Sequence, residues 1–201
     1  IETDRPIVLV NWTNEEGGRF SPPMVGSGCF TGVYTLDWAR ERRDDDGKSM
    51  GEELDRIGYT GEAQDAPPPL DAYFEFHIEQ GPILDREGFQ VGVVTGGYAS
   101  TGMIVEFRGE TAHTGPWPME KRRNALAAGA RLLTAVDDLG WEFAGSGGKA
   151  TAARLVAWPN KAGIISDWAQ VTCDVRHADP EAGAVMAERM LRAAHEAGAR
   201  A

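Results

Sequence analysis

An acidic pair follows an apolar run near the start of the chain, where PIVLV at residues 6–10 leads into NEEGGRF at residues 14–20. The apolar run predicts a buried strand over residues 6–12. Open α/β folds place their functional sites beyond the carboxyl ends of such strands. Glu15 and Glu16 therefore indicate acid–base or metal-ligand chemistry at the edge of a sheet, with a solvated acidic turn as the alternative.

A second segment of this kind carries a histidine, in FEFHIEQGP at residues 74–82. Its aromatic and β-branched residues predict a strand over residues 71–78. His77 is the best metal-ligand candidate among the four histidines, and a purely structural role is the alternative. Neighbouring residues of an extended chain point to opposite sides, so one carboxylate of the acidic pair could bind a metal while the other acts as general base.

The remaining patterns of the first half predict helices. Phe30, Val33, Tyr34 and Trp38 have near-helical spacing and predict a helix over residues 27–41. A second helix is predicted over residues 49–57, with a capping box formed by its first residue and the glutamate three positions later. The three prolines at residues 67–69 are typical of a stiff linker.

The sequence of the second half predicts a sheet with two helices, unlike the first half. Strands are expected over residues 102–108, 150–158 and 163–175, and helices over residues 120–138 and from Pro180, with Asp179 as the cap. The order β-α-β-β-α is that of a ferredoxin-like layer, which normally closes with one more strand. The sequence therefore predicts an α/β protein with two domains, residues 1–96 and residues 97–201.

Two further side chains in the second half are candidates for a functional site. His113 lies in a loop ahead of a helix, where an imidazole can donate to an oxyanion. Arg176 ends a predicted strand, and a guanidinium there suits capture of a carboxylate. The alternatives are a surface histidine and a surface ion pair, and the pair Arg122-Arg123 is interpreted mainly as a solvated helix start.

Composition excludes some function classes. The net charge of −11 argues against binding to nucleic acid phosphates. No apolar run approaches the length of a membrane span, and the chain opens without a secretory pattern. The two cysteines, Cys29 and Cys173, lie far apart, as in a reduced cytoplasmic protein. We therefore expect a cytoplasmic protein with no nucleic acid or membrane partner.

Read together, the motifs resemble the amidase/hydantoinase/carbamoylase group of the M20 peptidase family. The resemblance rests on four runs in their order and spacing: NEEGGRF at 14–20, HIEQGP at 77–82, HTG at 113–115 with PM at 118–119, and DVRH at 174–177. It spans nearly the whole chain. The first two runs are highly specific in combination.

The resemblance implies a catalytic α/β domain with two divalent metal ions and an inserted βαββαβ lid that mediates homodimerisation. The ions would be zinc or manganese, with cobalt or nickel as further options. The reaction would release ammonia and carbon dioxide from a carbamoyl or ureido group of a small substrate. The implied roles are Glu15 as general base, Glu16 and His77 as metal ligands, Gln80, Arg176 and Asn160 as substrate contacts, and His113, from the partner subunit's lid, as oxyanion donor.

Several departures keep alternatives open. The His-x-Asp motif, bridging Asp and last metal His of the family fall outside residues 1–201, so the chain is expected to correspond to an internal part of a family member. Gly163 stands where the lid motif has its second Asn, and Trp117 replaces a small residue. The alternatives are a non-catalytic dimerisation module and an M20 aminoacylase or dipeptidase.

Overall fold

A computed structural model describes residues 2–62 and 69–199, which form two compact units, Ile1–Ile78 and Glu79–Ala201. Most of the proline-rich segment lies outside the described residues. The first unit contains the helices α1 (Val25–Phe30), α2 (Leu36–Arg40) and α3 (Met50–Arg56). The second unit contains α4 (Ile83–Glu87), β1 (Ala99–Arg108), α5 (Ala125–Phe143), β2 (Lys149–Trp158), β3 (Trp168–His177) and α6 (Pro180–Ala199).

The second unit is a layered α/β structure. Its antiparallel sheet has the order β1-β3-β2, with α5 packed on β2 and β3, and α6 packed on β3 and β1. Alternate residues of β3, from Ala169 to His177, are buried beneath the helices, and the residues between them lie on the open face. The predicted βαββα order and the α/β class are confirmed, and the described residues contain three of the four strands of a ferredoxin-like layer.

Local capping determines where the helices of this unit begin. The predicted helix over residues 120–138 starts later, because the Asn124 side chain accepts from the Ala127 amide and caps α5. Asp179 accepts from the Glu181 amide ahead of α6, as predicted. The predicted strand from residue 163 starts only at Trp168, because the Ile165 amide bonds to the carbonyl of Ala112 in a loop.

The first unit has a small core, formed by Phe20, Val25, Ala39 and Met50. The capping box of α3 is present as predicted. The single helix predicted over residues 27–41 is wrong, since the chain turns at Gly32, with φ 77°, and Thr35 caps a separate helix by accepting from the Trp38 amide. The helical spacing of the apolar residues continues across the turn at Gly32, so the spacing alone predicted one helix.

The strands predicted over residues 6–12 and 71–78 are also wrong in the described part of the chain. Neither segment forms a strand, and Leu9 and Phe76 are fully or almost fully exposed, at 97% and 101%. The Trp12 indole donates to the Tyr73 hydroxyl at 3.1 Å. Both segments are rich in apolar residues, but a strand also requires a ladder of backbone hydrogen bonds from a neighbouring strand.

Among the helices of the described residues, none combines the length and the apolarity that crossing a membrane requires.

Candidate active site

The acidic pair lies in a tightly bonded turn. Asn14 has φ 56°, and its side-chain amide donates to the carbonyls of Phe20 at 2.8 Å and Pro22 at 3.2 Å. The Glu15 carbonyl accepts from the amide of Met24 at 2.7 Å. These bonds tie the start of the turn to its end, so the two acidic side chains project from a fixed backbone.

Two other residues of the same run hold the turn in place. Gly17 has φ 68°, and a Cβ there would lie 2.6 Å from the Pro23 nitrogen, so only glycine fits. The Arg19 guanidinium contacts the carboxylates of Asp44 and Glu53, each at 2.8 Å. Arg19 therefore anchors the turn to the segment that leads into α3 and to α3 itself.

The turn and the FEFHIEQGP segment together form a cluster of possible metal ligands. One side-chain atom from each of Glu15, Glu16 and His77 lies within 4.8 Å of the other two. The expectation that the two carboxylates point to opposite sides is wrong, because residues 13–16 form a turn and strand alternation does not apply. Both carboxylates face one point, where a divalent cation could bind.

The His77 ring is oriented by the backbone. Its Nδ1 lies 2.6 Å from the Ile78 carbonyl, so Nδ1 carries the proton and Nε2 is available as a ligand atom. This hydrogen bond raises the pKa of His77 above its ordinary value, and the nearby carboxylate of Glu15 adds to the effect. A set of two carboxylates and one imidazole suits zinc, manganese, cobalt or nickel.

His113 lies in the loop after β1 and pairs with Ile164 in an isolated β-bridge. The Thr114 amide donates to the Gly163 carbonyl at 3.0 Å, and the Gly115 amide donates to Nδ1 of His113 at 3.0 Å. A neutral ring that accepts at Nδ1 carries its proton at Nε2. The exposed ring is therefore arranged as a hydrogen-bond donor, as an oxyanion partner requires.

Arg176 lies on the open face of the sheet, where its Nε donates to Asp174 at 2.6 Å. It is opposite Ser100 of β1 and Lys149 of β2. Strand residues advance about 3.3 Å each, so the eight steps from Trp168 to Arg176 cover about 26 Å. Arg176 is thus at one end of the sheet.

The other predicted residues of the second unit lie elsewhere. Asn160 is exposed, with φ 43°, just after β2. Its loop leads directly to Ile164, so Asn160 and His113 lie near the Trp168 end of the sheet. Gln80 has φ 54° and precedes α4. The structure brings Glu15, Glu16 and His77 together, but separates His113 from Arg176; the role of each residue stays a prediction.

Sequence reasoning missed Arg122. Its side chain is half-buried and donates three hydrogen bonds to the carbonyls of Thr114 and Trp117, whereas Arg123 is exposed beside Glu110. Nothing in the run of two arginines distinguishes them, because the difference comes from the loop that folds around the first one.

A cluster of two carboxylates and one imidazole is a donor set that metal-dependent hydrolases use. The model of Peptidase family M20/M25/M40 matches residues 1–201, and the chain belongs to this family. The resemblance noted from the motifs is confirmed.

The chain is similar to relatives and solved structures that are named for the carbamoylase group. It is 43% identical over 179 residues to an N-carbamoyl-L-amino-acid amidohydrolase of Rhizobium meliloti, covering 89% of this chain and 43% of the relative. It is 36% identical over 179 residues to an allantoate amidohydrolase of Bacillus subtilis (strain 168), and the match covers 86% of this chain and 42% of the relative. The crystal structure of an amidase of the hydantoinase/carbamoylase family from Burkholderia vietnamiensis superposes with a TM-score of 0.86 and 42% identity, covering 94% of this chain and 45% of that one.

The chain therefore spans less than half the length of the curated relatives it matches.

Proposed function

We propose that the protein is part of a metal-dependent amidohydrolase that cleaves a linear carbamoyl or ureido C–N bond. The observation that carries this proposal is the convergence of Glu15, Glu16 and His77 within 4.8 Å. The relatives named as amidohydrolases of N-carbamoyl-L-amino acids and of allantoate support this bond type over the peptide or acyl-amide bonds of an aminoacylase or dipeptidase.

Glu16 and His77 would hold a divalent ion, and Glu15 would act as the general base. A bound ion would polarise the substrate carbonyl and make bound water easier to deprotonate. Glu15 would take the proton of the attacking water and pass it to the leaving nitrogen. One water per carbamoyl group yields the free amine, ammonia and carbon dioxide. A two-ion centre needs more than three ligands, so the activity is proposed for a polypeptide of the relatives' length.

The separation within the second unit supports an active site shared between two subunits. His113 lies near one end of the sheet, and Arg176 lies about 26 Å along β3 at the other end. One small substrate cannot contact both residues of the same chain. We therefore propose that Arg176 binds the substrate carboxylate in one active site, while His113 donates to the oxyanion in the partner's active site of a homodimer.

The test combines metal content with turnover. A polypeptide of the relatives' length that contains residues 1–201 is loaded with zinc or manganese and desalted, metal is measured by elemental mass spectrometry, and ammonia release is measured with N-carbamoyl amino acids and allantoate. The variant Glu15→Gln should retain the metal and lose turnover by about 10²-fold or more, whereas His77→Ala should lose metal affinity by at least about tenfold.

Gln170→Ala, on the open face of the sheet in the second unit, is the control and should change neither property. Unchanged turnover in Glu15→Gln would remove Glu15 as the base. Equal metal binding by His77→Ala would refute the proposed centre.

A further inference from the structure

We propose that Arg122 is a positioning residue that fixes the tautomer of His113, so that the Nε2–H group faces the reacting carbonyl oxygen. This inference rests on the proposed function for the catalytic use of His113. The positioning itself rests on hydrogen bonds that are observed in the second unit and can be tested without turnover.

Arg122 closes the turn that follows His113. Its Nη2 donates to the Thr114 carbonyl at 2.6 Å and to the Trp117 carbonyl at 2.9 Å, and its Nε donates to the same Trp117 carbonyl at 3.1 Å. The two carbonyls lie at the two ends of the turn, with Gly115 between them. A planar guanidinium presents donors in a fixed fork, so one side chain sets the distance between both ends.

Gly115 transmits this geometry to the imidazole. Its amide donates to Nδ1 of His113 at 3.0 Å, and a Cβ on Gly115 would lie 3.3 Å from the ring. The ring therefore packs directly against the glycine backbone. The direction of the Gly115 amide depends on the turn, and the turn is closed by Arg122.

The other side of His113 is held by the loop after β2. The Thr114 amide bonds to the Gly163 carbonyl, and the Ile165 amide bonds to the Ala112 carbonyl. These bonds fix the backbone at His113 but leave both ring tautomers open. The Gly115 amide selects between the tautomers, since only a ring with an unprotonated Nδ1 can accept from it.

The chemical consequence follows from the sign of the charge that develops in hydrolysis. A tetrahedral oxyanion requires a donor, and a neutral Nε2–H ring supplies one. The opposite tautomer would present a lone pair to that oxyanion. Arg122 would thus act on the reaction through the orientation of one backbone amide, without touching the substrate.

Nuclear magnetic resonance of the protein labelled with ¹⁵N-histidine tests the proposal directly. Spectra are recorded at a pH above the ordinary histidine pKa of about 6.5, and the His113 signals are assigned by their loss in His113→Gln. The unaltered protein should show His113 protonated at Nε2 and unprotonated at Nδ1. In Arg122→Met the two nitrogen shifts should move toward each other, as tautomers mix, with a smaller change in Arg122→Lys.

Two controls keep the result specific. Arg123→Met removes the neighbouring, exposed arginine and should leave the His113 signals unchanged. His177 reports folding in the same spectrum, because its buried ring accepts from the Asp179 amide at 2.9 Å and contacts Ser146 at 3.1 Å. A variant that keeps the His177 signals has kept the fold of the second unit.

Unchanged His113 shifts in a folded Arg122→Met protein would overturn the proposal, and so would equal changes in Arg123→Met. In an active polypeptide, Arg122→Met should lower kcat about tenfold or more with little change in KM. Normal turnover by His113→Gln, combined with Arg122-dependent shifts, would reject the proposed catalytic role of His113 while supporting the positioning by Arg122.

Discussion

Gly17 and Gly18 are neighbours with different structural demands. Gly17 has φ 68° and lies against Pro23, whereas a Cβ on Gly18 would meet nothing within 4 Å. The acidic turn therefore depends on the first glycine and tolerates a side chain at the second. This contrast provides a matched pair of substitutions within the motif that carries the candidate metal ligands.

Gly17→Ala should open the turn and lower metal affinity, because the added methyl clashes with backbone and the positive φ costs about 1 kcal/mol or more. The measurement is hydrogen exchange at the Met24 amide, which bonds to Glu15. Gly18→Ala should leave exchange and metal affinity unchanged. Equal exchange in both variants would show that the turn does not depend on Gly17.

Glu53 is the residue through which pH should act on the first unit. Hydrogen bonds from Arg56 and Arg19 lower its pKa from 4.5 to about 2. Because the folded pKa is the lower one, the stabilisation is present above the unfolded value of 4.5 and is lost as pH falls through about 2. Acid should therefore weaken the anchor that Arg19 provides for the acidic turn.

The expected result is a decrease in melting temperature between pH 4.5 and 2 that is smaller in Glu53→Gln. Glu62→Gln, an exposed control, should keep the full decrease. A carboxyl titration followed by nuclear magnetic resonance should also show the pKa of Glu53 rising in Arg19→Met. Identical pH profiles for the Glu53 and Glu62 variants would contradict the role of the ion pair.

At the scale of helices and strands, the sequence predicted the features that depend on neighbouring residues, such as helix caps. It did not predict the features that depend on distant residues, such as strand pairing. The capping box at Ser49 and the cap at Asp179 lie within a few residues of the groups they bond, and both predictions were confirmed. The break at Gly32 was missed, because the apolar spacing continues through it. The predicted strand over residues 6–12 failed because a ladder needs a neighbour that the segment itself cannot specify.

Ser49→Ala should lower the free energy of unfolding of the first unit by about 1 kcal/mol, since the Glu52 amide loses its acceptor at the start of α3. Glu52→Gln is the matched control, because a glutamine can still accept from the Ser49 amide. Urea unfolding measures the free energy of unfolding of both variants. A loss of stability in Glu52→Gln as large as in Ser49→Ala would mean that the charge of Glu52, and not the cap from Ser49, stabilises the start of α3.

At the scale of the whole molecule, the candidate site was predicted from the sequence in its composition but not in its arrangement. The residue types at 15, 16 and 77 identified the cluster, and the structure brings them together. About 26 Å of β3 separate Arg176 from Trp168, at the end of the sheet where the His113 loop lies, and no motif states this separation. This separation is the reason to test whether the active site is shared between two subunits.

If His113 acts in the partner's active site, two inactive variants should restore activity when mixed. A dimer of one Glu15→Gln subunit and one His113→Ala subunit has one complete site, formed by the intact Glu15 of the second subunit and the intact His113 of the first. With random exchange at equal amounts in an active polypeptide, about a quarter of the original turnover should return.

Glu15→Gln mixed with Glu16→Gln is the control and should stay inactive, because both residues belong to one cluster. If no turnover returns in the first mixture after subunit exchange has been verified, His113 acts in its own chain's active site and the shared site is rejected.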